Sequence, residues 1–240
     1  MSTSNKAAKS IFIIIIFSLG SKFLGFIREI LIAAKFGAGM ETDTYFIAIG
    51  ITTLLTAILS NAITTTFIPV LSEVEAKEGR QGKIKHTNNM INIILFLSII
   101  IVIIAWFLSP ILIKLMAKGF YGEQYNLAVK LLRIGLPIVV FSGMVGTLTA
   151  FLQSEQRHYS SAAIGFPFNT VYIFFLIFLS SKFGIRGLMV ASVIAVMSQL
   201  LIQIPDARKA DYRYKFVFDI NDEYIKKALY LSIPVLIGVA

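Results

Sequence analysis

Residues 87–113 read TNNMINIILFLSIIIVIIAWFLSPILI, a run from Thr87 to Ile113 without one charged side chain. As an α-helix the run is about 40 Å long, at roughly 1.5 Å per residue, and so exceeds the ~30 Å hydrocarbon core of a bilayer. A helix at the surface of a soluble domain keeps a polar face. Here the apolar residues fall on every face, which is the pattern of a helix whose solvent is lipid.

Working outward, four more stretches are long enough and free of charge: Thr44–Ser72, Ile134–Ser154, Tyr159–Ser181 and Gly187–Pro205. A sixth, from Ser10 to about Ala34, has the length but carries Lys22, Arg28 and Glu29 within it. A seventh begins near Ala228 and reaches Ala240, a stretch of 13 residues. At about 20 Å it is too short to span, so the natural protein is expected to continue. The predicted fold class is all-α, a polytopic membrane helix bundle of six complete transmembrane helices plus the start of a seventh. The expected organisation is a six-helix lobe over residues 1–206, a loop over 207–227 and the truncated helix over 228–240.

Composition agrees. Hydrophobic residues make up 57% of the chain and charged residues 15%, against roughly 45–50% and about 25% in soluble domains. The absence of cysteine excludes disulfides, thiolate metal sites and thiol nucleophiles. The net charge of +9 would suggest nucleic acid in a soluble protein. Here it sits in loops between apolar blocks and is read as membrane orientation, with no nucleic-acid partner. With the N-terminus in the cytoplasm, the inner loops hold thirteen Lys and Arg against seven outside, the positive-inside bias. Lys6, Lys9 and the apolar run Ile11–Phe17 imitate a signal peptide, but apolar character resumes at Phe23–Ile27, which favours a retained helix.

Two loops stand out. Glu73–His86 is short and highly charged, and reads as a solvated connector. The loop Asp206–Tyr224 mixes charge with Tyr212, Tyr214, Phe216 and Phe218, and is open to reading as a short amphipathic element on the membrane surface.

Lys22, Arg28 and Glu29 are the most informative positions. A charge inside a spanning helix costs about 2.5–3.5 kcal/mol on insertion scales, so such residues face a cavity or a partner. Lys22 and Glu29, seven apart, share a helical face, whereas Arg28 points elsewhere on a straight helix. A bend at Gly20 or Gly25 would bring both cations toward one cavity. Two cations suit a phosphate-bearing substrate, Arg through its planar fork and Lys as a point charge. The bland reading is that Arg28, Glu29 and Lys35 mark a helix end and snorkel. Thr53, Thr56, Ser60 and Thr64, with Asn61 beside them, follow the spacing of one face. They form either the polar wall of a transport cavity or a packing seam of small residues. Asn169, Gln199 and Gln203 read as interhelical hydrogen-bonding groups. Asp222 or Asn221 reads as a helix cap. His86 and His158 show no metal-ligand spacing, and no nucleotide-binding or nucleophile motif occurs, so neither an enzyme nor a metal site is expected.

One block is recognisable. Ser21-Lys22-Phe23-Leu24-Gly25-Phe26-Ile27-Arg28-Glu29, then Ala33-Ala34-Lys35-Phe36-Gly37-Ala38-Gly39, then Thr42-Asp43-Thr44-Tyr45-Phe46-Ile47-Ala48, resembles the opening of the MurJ/MviN lipid II flippase family. Phe67-Ile68-Pro69-Val70 and Glu73 extend the likeness. The resemblance implies the N-terminal lobe of a two-lobe transporter that moves lipid-linked peptidoglycan precursor outward across the bacterial cytoplasmic membrane by alternating access. It implies that Lys22 and Arg28 engage the pyrophosphate in the central cavity, with Glu29 and Asp43 beside them. It implies no cofactor, with coupling to an ion gradient or the membrane potential. The partners would be the lipid-linked oligosaccharide, membrane lipids and a C-terminal lobe. One departure counts against it: residues 54–61 carry no charge where many relatives have an arginine. An exporter of another polyprenyl-linked oligosaccharide, a drug/cation antiporter of the same superfamily and, from another class, a membrane-embedded glycosyl- or phospho-transferase are the rival readings.

Overall fold

The computed structural model describes the backbone of residues 3–239, and side chains within 12–232 except 13, 58–62, 64 and 65. Every regular element among the described residues is a helix. The order is α1 (Thr3–Phe36), α2 (Met40–Met116), α3 (Gly122–Gly135), α4 (Pro137–Ser154), α5 (His158–Ala163), α6 (Gly165–Phe178), α7 (Ser180–Ser198), α8 (Leu200–Lys209) and α9 (Glu223–Val239). Four helical stretches among the described residues are long and apolar enough to cross a membrane: Thr66–Met116, Gly122–Ser154, His158–Phe178 and Ser180–Lys209. The remaining expected spans, α1 and the first part of α2, run through residues whose side chains lie outside the described set.

Local chemistry explains the joints. Gly37, at φ 66°, ends α1 in the left-handed conformation that glycine adopts without penalty, and its N–H closes onto the Ala33 carbonyl at 2.9 Å. Pro137 opens α4 at a position where its missing N–H costs nothing. Gly79, at φ 68° and ψ −170°, divides α2 into two arms, residues 40–78 and 80–116. The expected connector over 73–86 is therefore helical on both sides of one glycine.

Two apolar cores hold the lobe. One gathers Phe67, Leu71, Ile94, Phe151 and Leu152 with Tyr212 and Ile225, joining α2, α4 and α9. The other gathers Ile32, Tyr45, Leu132, Tyr172 and Leu188, joining α1, α2, α3, α6 and α7. The surface left over is strongly apolar; Phe23, Phe26, Phe107, Phe178 and Leu201 are all more than half exposed. A membrane protein presents such a surface to lipid.

Residues 210–222 form no helix. Three asparagines of α2 clip this segment down: Asn88 Nδ2 donates to the Arg213 carbonyl (3.2 Å), Asn89 Nδ2 to that of Asp219 (2.8 Å) and Asn92 Nδ2 to that of Val217 (2.8 Å). The hydroxyls of Tyr212 and Tyr214 donate back to Asn88 and Asn92. Burial pushes the Tyr212 phenol above its ordinary range. Side-chain amides thus satisfy three carbonyls of the extended segment, and Tyr214, Phe216, Phe218 and Ile220 stay exposed along it. The seventh helix starts at Glu223, earlier than Ala228, because Asp222 caps it: Oδ1 accepts from the N–H groups of Tyr224 (3.0 Å) and Ile225 (3.2 Å).

Candidate functional site

α1 lies on α6 along a seam of small residues. A side chain at Gly165 would meet Ser21 Oγ at 1.7 Å, and one at Gly20 would meet the Phe166 ring at 2.8 Å. Gly20 thus serves close approach, whereas a side chain at Gly25 would make only an ordinary contact with Asn169 Oδ1 at 3.8 Å, and α1 is one continuous helix through both. Asn169 of α6 sits in this seam, its Nδ2 donating to the carbonyls of Ser21 (3.1 Å) and Gly165 (2.8 Å). It is the interhelical group its sequence context suggested, as is Gln203, whose Nε2 donates to Val145 O and Thr149 Oγ1.

Asn169 also holds Arg28. Arg28 Nη1 donates to Asn169 Oδ1 at 3.2 Å, while Nη2 and Nε donate to Glu29 Oε1 at 2.6 and 3.2 Å. The guanidinium lies 5.4 and 5.1 Å from the ring centres of Phe168 and Tyr172, within cation–π range. Behind it the Tyr172 hydroxyl meets that of Tyr45 (3.2 Å), which meets Ser192 (3.1 Å). A guanidinium has five N–H donors; three are engaged among the described residues, and two find no partner there. The Arg28 side chain is 22% exposed and that of Glu29 50%. Arg28 is thus oriented rigidly, with donors to spare, at a half-open position in the middle of an apolar surface.

Lys22 is exposed, and no ion pair among the described residues includes it. It shares a face with Glu29, while Arg28 turns to Asn169 of α6. Asp43 is exposed in the first turn of α2, where a carboxylate complements the helix dipole. Thr53 is exposed and bonds back to the Ile49 carbonyl at 2.8 Å. Thr56 Oγ1 is buried without a hydrogen-bond partner among the described residues. The side chains of Ser60, Asn61 and Thr64 lie outside the described residues, so the stripe is seen only at its start.

A second polar cluster sits where the sequence suggested a solvated loop. Lys83 is 1% exposed, with Nζ at 2.7 Å from both Glu75 and Glu155. Arg80 reaches Glu155 at 3.0 Å and donates to the Ala210 carbonyl. Burial pushes the Glu155 carboxyl up, but its bonds to Lys83 and Arg80 outweigh that and hold it below the ordinary carboxylate range. Next to these, His86 bridges Glu78 (3.0 Å) and Asp222 (2.5 Å). Asp206 accepts from Arg157 (2.6 Å) and from the hydroxyls of Tyr159 and Ser160. The cluster fastens both arms of α2 to the ends of α4, α8 and α9. It was missed because a charge run usually marks a solvated face. The available signal was the spacing: Glu75 and Lys83, and Glu78 and His86, are each eight apart across Gly79.

The family described as lipid II flippase MurJ matches residues 32–240. The probable lipid II flippase MurJ of Buchnera aphidicola subsp. Acyrthosiphon pisum is 30% identical over 226 residues, which cover 92% of this chain and 44% of that protein. The lipid II flippase MurJ of Burkholderia cenocepacia is 25% identical over 200 residues, covering 81% and 39%. A solved lipid II flippase MurJ in an inward closed conformation superposes with a TM-score of 0.75 at 25% identity, over 94% of this chain and 47% of that one. A MOP superfamily transporter from Pyrococcus furiosus shares the fold at a TM-score of 0.76 and 16% identity, over 96% and 52%. The chain spans about half the length of the relatives it matches.

Proposed function

This chain belongs to the lipid II flippase MurJ family, and from that premise we propose that it forms the N-terminal lobe of a transporter that carries lipid II outward across the bacterial cytoplasmic membrane. The observation that carries the reading is Arg28. Asn169, Glu29 and two aromatic rings fix its guanidinium in an apolar surface, yet two N–H donors have no partner among the described residues. A pyrophosphate is a fitting acceptor for such a fork. Lys22, on the neighbouring exposed face, adds a point charge for the same group. Glu29 orients Arg28, and Asp43 lies at the mouth of the second helix. Thr53, Thr56, Ser60, Asn61 and Thr64 extend the polar wall.

A second lobe completes the device. Leu19, Lys22, Phe26 and Glu29 share one exposed face of α1, and alternating access needs a second bundle for such a face to rock against. The chain is a transporter rather than an enzyme, driven by an ion gradient or the membrane potential without a bound cofactor. The N-terminus faces the cytoplasm, which places the Lys83–Glu155 cluster on the inner side.

The test is flipping of lipid II by the complete two-lobe protein. Arg28→Ala is expected to abolish transport at near-normal membrane abundance. Arg28→Lys should be partly active, because an ammonium lacks the bidentate fork. Wild-type transport by Arg28→Ala would overturn the assignment and leave Arg28 as a packing residue.

A further inference from the structure

A cavity of about 620 Å³ lies apart from α1 and Arg28. The second arm of α2, helices α4 and α8, and the clipped segment after α8 enclose it. Its inner wall is aliphatic, with Leu95, Met144, Leu148 and Ile204 prominent, and its rim carries Arg208 and Arg213. No acidic residue lines it, and among the described residues no ion pair engages either arginine. The rim is built rather than incidental. Tyr212 and Tyr214, on either side of Arg213, are bonded to Asn88 and Asn92, one helical turn apart on α2 (2.6 and 2.7 Å). Asn88 also holds the Arg213 carbonyl.

Two apolar rows run from this rim along the outside of the bundle. On α7 and α8, Met197, Leu201 and Ile204 follow a spacing of four and three and are 44%, 72% and 40% exposed; Arg208 is the next residue on that face. On α2, Phe96, Ile99 and Ile103 continue from Asn92 with 48%, 43% and 52% exposure. The cavity therefore joins two guanidinium groups at the end of a spanning stretch to a furrow that faces the hydrocarbon.

We propose that this cavity holds one anionic membrane phospholipid, with its phosphate on Arg208 and Arg213 and an acyl chain between the rows of Ile204 and Phe96. The charge excludes a purely apolar occupant, and the furrow excludes a soluble phosphate ester as the natural one. Basic pockets between spanning helices bind anionic head groups on the same grounds. The proposal requires only that the chain spans a membrane. It does not rest on which substrate is flipped.

The test uses the chain in neutral detergent, with Phe96→Trp in a Trp106→Phe background giving one fluorophore beside the furrow. Phosphatidylglycerol with brominated acyl chains should quench this tryptophan at about tenfold lower mole fraction than phosphatidylcholine with the same chains, since each basic residue near the head group adds affinity. Arg208→Gln with Arg213→Gln should erase the preference. Arg208→Lys with Arg213→Lys, which keeps the charge, should retain part of it and shows that the pair tolerates change. Lys209→Gln should leave the preference intact. Equal quenching by the two lipids, or a preference that survives loss of both arginines, would overturn the proposal. So would displacement of the phosphatidylglycerol by millimolar glycerol phosphate alone.

Discussion

Replacing Glu155 by leucine breaks its pair with the buried Lys83 and its bond to Arg80. Lys83 is 1% exposed and its ammonium has two carboxylate partners, Glu155, 11% exposed, and Glu75, 40% exposed, each at 2.7 Å. Removing one partner of a buried ion pair costs about 3–5 kcal/mol, chiefly because the other charge is stranded. Glu75 still compensates Lys83 but is screened by solvent, so the lower end, about 3 kcal/mol, applies. At roughly 2–4 °C per kcal/mol for a chain of this size, the apparent melting temperature should fall by about 6–12 °C. Adding Lys83→Met removes the stranded ammonium and should recover most of that loss, since a well-packed apolar pair can match a buried ionic one. Intrinsic fluorescence of Trp106 during heating in detergent reads both. A loss under about 2 °C for Glu155→Leu, or losses that simply add in the double variant, would refute the account. Acid provides a second reading. The folded value of Glu155 is lowered from 4.5, so its contribution is present above that value and disappears as pH falls through the folded one. The wild type should destabilise in that window more steeply than Glu155→Leu.

Lys85→Cys should be shielded from a membrane-impermeant thiol reagent in intact cells, and Gly119→Cys should react. Both positions are exposed, and the native chain has no cysteine; the reverse pattern would refute the N-in arrangement. Gly165→Ala places a methyl carbon against Ser21 and should cost about 1–3 kcal/mol by overpacking, with recovery in melting temperature when Ser21→Gly is added; no recovery would place the clash elsewhere. The 240-residue chain alone should insert without restoring growth to flippase-depleted cells, while co-expression with a C-terminal lobe from a close relative should restore it. Rescue by the chain alone would point to a symmetric pair of lobes.

Hydrophobicity alone determined that this chain lies in a membrane as a helix bundle, because a charge-free run such as Thr87–Ile113 satisfies its backbone in lipid only as a helix. It also marked Arg28, Asn169 and Asp222, since a charge or amide in an apolar helix must find a partner and an acid before a helix must cap it. Tertiary structure decided what those partners are. That Arg28 turns to Asn169 while Lys22 stays open follows from the glycine seam between α1 and α6, which depends on two helices more than a hundred residues apart. The segment from Glu73 to His86 looked solvated because local charge density is all a sequence displays. Lys83 and His86 are buried within it because the residues after Gly79 meet the ends of α4 and α8 and the start of α9, which supply Glu155, Ala210 and Asp222. The arginine-rimmed cavity was equally hidden, for its walls come from α2, α4 and α8, and its rim joins Arg208 of α8 to Arg213 in a segment held by asparagines of α2. Periodicity reports how one helix meets its solvent; which side chains meet each other is set by how the helices pack.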